Sequence, residues 1–179
     1  MRSRAVAGVV AFVAGTASVA HGQTIALSEG AKHETQASMI VDATPHDVYL
    51  LVTDYKNWRS VFSDVLMVSV KEGSAENAKV RFKSRALEHT VTVKFDNVPD
   101  QLIRFVGIEG PPGAKAHGEY VLTPIGDGSR TLVTARLFMD VDGPAAVFVR
   151  EKKIRTMRRA KLSADMKDAA AKLQPRPQA

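Results

Sequence analysis

Residues 44–65 read TPHDVYLLVTDYKNWRSVFSDV. The first half is a well-formed helix start. Thr44 is a capping residue, Pro45 fits the first helical position, and Asp47 stands third, where a carboxylate meets unpaired backbone N–H groups. Val48, Leu51 and Val52 then recur at spacings of three and four, the stripe of an amphipathic helix. The pattern meets Asp54-Tyr55 within three turns and stops. A second short piece follows, and it carries Trp58, the only tryptophan in the chain. The stretch therefore predicts two short helices, with a large aromatic residue placed just after the break.

On either side of it the signals are those of strands. Residues 34–42, ETQASMIVD, end in an apolar run. Residues 64–72, 78–85, 89–97, 101–108, 116–124 and 130–141 alternate polar with apolar. In VRFKSR, Val80 and Phe82 face one side and Arg81, Lys83 and Arg85 the other. In HTVTVKF, His89, Val91, Val93 and Phe95 share a face. The connections EGSAEN, NVPDQ, EGPPGAK and IGDGSR are turn sequences. Strands joined so closely are antiparallel, because a parallel crossover takes a dozen residues or more. After Gly143-Pro144 the period becomes helical. Val147, Phe148, Ile154, Met157, Leu162, Met166, Ala169, Ala170 and Leu173 mark a helix over 145–173, roughly 43 Å long at 1.5 Å per residue. Pro175 and Pro177 end it. The expected class is α+β: a strand, two short helices, six more antiparallel strands, and one long helix whose apolar stripe the sheet must cover.

Composition sets the boundaries. Of the 179 residues, 45% are apolar and 25% charged, the profile of a folded globular chain of one domain. The opening MRSR is basic, and the uncharged run AVAGVVAFVAGTASVA follows, as in a secretory signal peptide over residues 1–20. Ser18-Val19-Ala20 fits a cleavage site, with Ala20-His21-Gly22 as the second option. The competing reading, an uncleaved membrane anchor, meets a run shorter than the roughly 20 residues a bilayer requires. Removing residues 1–20 takes away Arg2 and Arg4, so the net charge falls from +6 to +4. That excess does not call for nucleic acid, and the expected location is periplasmic or secreted. Residues 21–33 read as a polar, flexible leader, 34–173 as the domain, and 174–179 as a disordered tail. The chain has no cysteine, so the core must hold the fold without disulfides, and thiol catalysis or thiolate metal ligation is excluded.

The element order resembles the START-like superfamily, also called SRPBCC, which includes the polyketide cyclase/dehydrase, coenzyme Q-binding and pollen-allergen-like families. Ala43, Pro45, Val48, Asp54, Tyr55, Trp58 and Phe62 stand where that superfamily has its N-terminal signature. Gly118, Tyr120, Leu122, Pro124, Gly126 and Gly128 match its later glycine–aromatic hairpin. The resemblance spans about residues 35–173. It implies a helix-grip fold: a seven-stranded antiparallel sheet curled around the C-terminal helix, with an elongated apolar cavity between them. The break at Asp54-Tyr55 would then let two short helices form a V across the sheet edge. Trp58 there is either core packing or a ligand contact. No residue of the pattern is catalytic across the superfamily.

Few residues offer chemistry. Among the five histidines, His21, His33, His46, His89 and His117, no pair has the helical spacing of a zinc site, and no HExxH occurs, so no metal is expected. His89 begins an otherwise apolar face and so points toward the cavity. Arg104 is either an inward polar anchor or a sign that Ile103 and Phe105 face in instead. His117 and Glu119 share a strand face, either as an acid–base pair or as the outward polar face opposite Tyr120 and Leu122. His89, Arg104 and Glu119 are thus the catalytic candidates, all weak. No serine lies in a G-x-S-x-G context, and Gly110-Pro111-Pro112-Gly113 lacks any phosphate-cradling pattern, so no cofactor is expected. The basic run REKKIRTMRRAK supplies Arg150, Lys152, Lys153, Arg155, Arg158, Arg159 and Lys161. It is either a solvated helix face or a landing site on anionic lipid.

The function these features favour is binding of a hydrophobic small molecule, a lipid, quinone or similar compound, in an internal cavity. The expected contacts are Trp58, Phe62, Phe82, Val91, Val93, Phe105, Tyr120 and Met139. The alternative is a polyketide cyclase- or aromatase-like enzyme using the same cavity.

Overall fold

A computed structural model of the chain describes residues 19–20, 23–85, 89–143 and 151–173. The expected signal peptide, apart from Val19 and Ala20, and the expected tail lie outside them. After a two-residue ladder between Val19–Ala20 and Gln23–Thr24, the chain builds one sheet. Its strands are β1 (Ala26–Glu29), β2 (Glu34–Val41), β3 (Val65–Gly73), β4 (Ala78–Ser84), β5 (Thr90–Phe95), β6 (Leu102–Glu109), β7 (Ala114–Ile125) and β8 (Arg130–Val141). All neighbours are antiparallel, in the order β1-β2-β8-β7-β6-β5-β4-β3. Only β2 to β3 is a long crossover. It runs from one side of the sheet to the opposite edge through α1 (Pro45–Thr53), a 3₁₀ turn (Tyr55–Asn57) and α2 (Trp58–Val61). The long helix α3 (Glu151–Leu173) closes the fold.

The sheet has eight strands rather than seven. Ala26–Glu29, expected as part of a flexible leader, pairs with β2 from Ala26 opposite Ser38 to Glu29 opposite Thr35. Ile25 beside it is buried. β2 and β4 follow their alternation, whereas β5 buries Thr92, expected to face out, beside Val93 at its register shift. In β2, Thr35, Ala37, Met39 and Val41 face in, and in β4 so do Ala78, Val80, Phe82 and Ser84. Register shifts in β3 and between β5 and β6 bend the far half of the sheet, since an extra residue kinks a strand and increases its twist.

The break in 44–65 has a local cause. Thr44 Oγ1 accepts from the Asp47 N–H at 3.2 Å, and Asp47 Oδ2 accepts from the Thr44 N–H at 3.4 Å, a reciprocal cap. Asp54 leaves the helical conformation, at φ −75° and ψ 65°. Its carbonyl and carboxylate take the Asn57 backbone and side-chain N–H groups at 3.0 and 2.7 Å. The last carbonyls of a helix lack intrahelical partners. One of them, Val52 O, receives the Trp58 indole N–H at 2.8 Å. The tryptophan thus serves as a C-terminal cap on α1 while its ring turns inward.

α3 is about 35 Å long at 1.5 Å per residue; Val147 and Phe148, expected at its start, lie outside the described residues. Its buried stripe is Ile154, Arg158, Leu162, Asp165, Met166 and Ala170. Two charged residues lie in that stripe. Arg158, 1% exposed, donates to Thr35 Oγ1 (3.2 Å), Met139 O (2.9 Å) and Glu151 Oε1 (2.7 Å). It therefore ties the helix to β2 and β8 and is unavailable to a lipid surface.

Candidate functional site

The sheet and α3 do not close on each other completely. Between them lies a cavity of about 810 Å³, so side chains do not fill the interior. Its walls come from inward positions of the curled strands: Phe82 on β4, Val91, Val93 and Phe95 on β5, Phe105 on β6, and Leu137 and Met139 on β8. α3 contributes Ile154 and Met157, and the inner end is closed by Val52, Trp58, Phe62 and Val65. The aromatic rings form a continuous chain. Trp58 meets Tyr55, Phe62, Phe82 and Phe95 at centroid distances of 5.4–5.7 Å, mostly edge to face. Phe95, Phe105 and Tyr120 continue it at 5.9 and 6.4 Å. The rim is built by His89, Glu109, the Gly110-Pro111-Pro112 turn, Lys115, Asp140 and Lys153.

All eight residues expected to contact a ligand border this cavity: Trp58, Phe62, Phe82, Val91, Val93, Phe105, Tyr120 and Met139. Trp58 is both buried core and cavity wall. The three catalytic candidates are not brought together at the cavity. His89 sits at the rim, whereas Arg104 and Glu119 lie on the outer face of the sheet. Arg104 Nε is 3.8 Å from Glu119 Oε2, and Arg136 Nη1 is 3.4 Å from Glu119 Oε1. Ile103 is fully buried on the other side of β6, so strand parity turns Arg104 outward. His117, stacked on Phe138 at 4.5 Å, lines the same outer groove.

A polar cluster at the inner end was not foreseen from sequence. Lys161 Nζ donates to Asp165 Oδ1 at 2.5 Å and lies 3.5 Å from Asp64 Oδ2. Tyr120 Oη donates to Asp165 Oδ2 at 3.3 Å. The side chains of Lys161, Asp165 and Asp64 are only 10–13% exposed. Lys161, Asp165 and Tyr120 all line the cavity. Burial pushes the Asp165 carboxyl up, against the pull of Lys161. Desolvation works to lower the Lys161 ammonium, but the charges and hydrogen bonds of Asp165 and Asp64 outweigh it and hold it above the ordinary lysine value. Burial, then the Asp165 charge, pushes the Tyr120 hydroxyl well above its usual range. A lysine held as its ammonium is a hydrogen-bond donor and a positive charge, not a nucleophile. One sequence signal was available: Asp165 stands three residues after Leu162 and next to Met166, inside the apolar stripe.

The basic run on α3 is therefore no single patch. Arg158 is buried, the Lys161 side chain is 13% exposed and faces Asp64 and Asp165, Arg159 pairs with Glu29 at 3.0 Å, and Lys153 borders the rim. Lys152 and Arg155 are exposed, and Arg150 lies outside the described residues. Among the described residues, no three His, Asp or Glu side chains converge as metal ligands.

The sequence profile of a family described as polyketide cyclase / dehydrase and lipid transport matches residues 32–175. No curated protein matches the sequence. Solved structures similar to this one include a protein from Thermus thermophilus, with a TM-score of 0.67 and 19% identity over 78% of this chain and 96% of that one. The Zhui aromatase/cyclase from Streptomyces sp. R1128 gives 0.66 and 19%, over 82% and 96%. A START superfamily protein from Mycobacterium smegmatis gives 0.66 and 13%, over 79% and 97%. At such identities these likenesses establish the helix-grip fold.

Proposed function

The chain belongs to the polyketide cyclase / dehydrase and lipid transport family, and from that premise we propose that it is an exported carrier of a hydrophobic small molecule. One observation carries the reading: a cavity of about 810 Å³ with aromatic and aliphatic walls and a polar cluster at its inner end. Ligand pockets have this character, mostly apolar with a few convergent polar groups. The energetics suffice. Micromolar affinity needs about 8 kcal/mol. Burying about 18 methylenes at about 0.8 kcal/mol each supplies about 14 kcal/mol, which leaves that much after an association cost of about 6 kcal/mol is subtracted. Export rests on the basic start and uncharged run of residues 1–20. Lys152, Lys153 and Arg155 remain exposed near the rim side of α3, and we assign them transient contact with anionic lipid during loading.

Native mass spectrometry of the protein purified from its own host, followed by organic extraction, tests the reading. A co-purifying apolar compound of defined mass, on a chain beginning after Ala20, is the expected result. A ligand-free mass with no uptake from a lipid panel would overturn the carrier role, and an intact N-terminus would overturn export.

A second reading, a cyclase- or aromatase-like enzyme, draws on the Lys161–Asp165–Tyr120 cluster, which puts a charged donor and a carboxyl with raised proton affinity beside the cavity. It predicts turnover of a poly-β-ketone probe into a ring product, abolished in Lys161→Met. Absence of product leaves the carrier reading alone.

A further inference from the structure

The inner polar cluster selects among apolar molecules, and its charge balance indicates which. Lys161 has three N–H donors. One goes to Asp165, and a second faces Asp64. Among the described residues no acceptor meets the third, and the side chain lines the cavity. Asp165 offers the cavity little in return, because its Oδ1 is taken by Lys161 and its Oδ2 by Tyr120. The cluster therefore presents a donor to the ligand and few free acceptors. Its positive charge is nevertheless already outnumbered by the carboxylates of Asp64 and Asp165. An arriving anion would find no net positive field and would be desolvated without compensation. A neutral oxygen needs only the donor.

We propose that the inner end of the cavity takes the neutral carbonyl oxygen of an otherwise apolar ligand on Lys161 Nζ, and that it discriminates against a free carboxylate of the same chain length. This rests on the carrier reading of the cavity and names the ligand class for it. Asp165 is a positioning residue, holding the Lys161 ammonium toward the cavity and cancelling its charge. The apolar chain would lie along Phe105, Phe95 and Trp58 toward the rim.

The test is displacement of a neutral solvatochromic dye from the full chain by four probes of equal length: a long-chain methyl ketone, the fatty carboxylate, the primary amine and the alkane. The ketone is expected to bind at least tenfold more tightly than the other three. Lys161→Met should bring the ketone down to the level of the alkane. Asp165→Asn keeps an acceptor for Tyr120 but removes a negative charge. It should raise carboxylate affinity about tenfold relative to the ketone, provided circular dichroism shows the variant folded. Should Lys161→Met fail to fold, the Asp165→Asn arm and the four-probe ranking decide by themselves. Carboxylate or amine binding as tightly as the ketone, or a ketone no better than the alkane, overturns the inference and leaves the cavity in place. A dye that never binds, with no probe binding by calorimetry, overturns the carrier reading beneath it.

Discussion

At the scale of single residues, Trp58 shows how one side chain joins fold to site. Its indole N–H takes a carbonyl left over by α1, and its ring packs on four others while forming part of the cavity wall. Trp58→Ala is expected to cost about 3–5 kcal/mol of stability, the range for removing a large buried aromatic; urea unfolding measures it, and a loss under about 1 kcal/mol would mean the ring is a lining and no brace. The tyrosines give a pH prediction. The chain has three. Burial is the first cause raising each hydroxyl above the ordinary 10.0: Tyr49, Tyr55 and Tyr120. A folded state that holds its phenolic protons more tightly gains stability that is complete below pH 10 and lost as the pH rises beyond it. Phenolate absorbance should thus stay low through pH 10 and appear together with alkaline unfolding. An ordinary titration centred at 10.0 while the circular dichroism is unchanged would contradict this. The residue scale is also where sequence was least informative. Spacing gives angles around a helix, but a long basic side chain turns toward water or toward acceptors beneath the helix at the same angle. Arg158 and Lys161 took the second course, which only the positions of Thr35, Glu151, Asp64 and Asp165 decide.

At the scale of elements, strands with one buried face were legible because alternation is forced by the pleat. The same parity left Arg104 open between two faces until the burial of Ile103 was known. Ala26–Glu29 escaped because it is an edge strand held by main-chain pairing, with the polar sequence ALSE and mostly exposed side chains. Gly118 has a reason visible only in the sheet. A methyl group there would stand 2.4 Å from Arg136 O and 2.6 Å from the Phe105 ring. Gly118→Ala is expected to lower the thermal midpoint by several degrees, and an unchanged midpoint would show that β7 and β8 can part without cost. Arg158 fastens α3 to β2 and β8. Removing it leaves Thr35 Oγ1 and Met139 O without that donor, and each such loss costs about 1–3 kcal/mol. Arg158→Met should therefore destabilise by about 3 kcal/mol, while Lys152→Ala on the exposed side stays within about 0.5 kcal/mol. Equal effects of the two would contradict a buried tie.

At the scale of the whole molecule, the crossover from β2 to β3 carries α1 and α2 across the end of the curled sheet, and the long helix covers the rest. The cavity follows because eight strands bend further than one helix can fill. The sheet wrapped on a long helix was readable from element order and turn spacing, and the cavity only from the family resemblance. The inner polar cluster was not, since it joins the α2–β3 turn, β7 and α3, segments far apart in sequence. The lone tryptophan at the inner end makes occupancy directly measurable. The decisive measurement is the fluorescence of Trp58 during titration with a bromine-substituted long-chain ketone, a contact quencher. Saturable quenching that approaches one ligand per chain, reversed by the unbrominated ketone, is the predicted result. Emission that stays unquenched, or falls only linearly as it would for free collisions, contradicts a ligand site between sheet and helix.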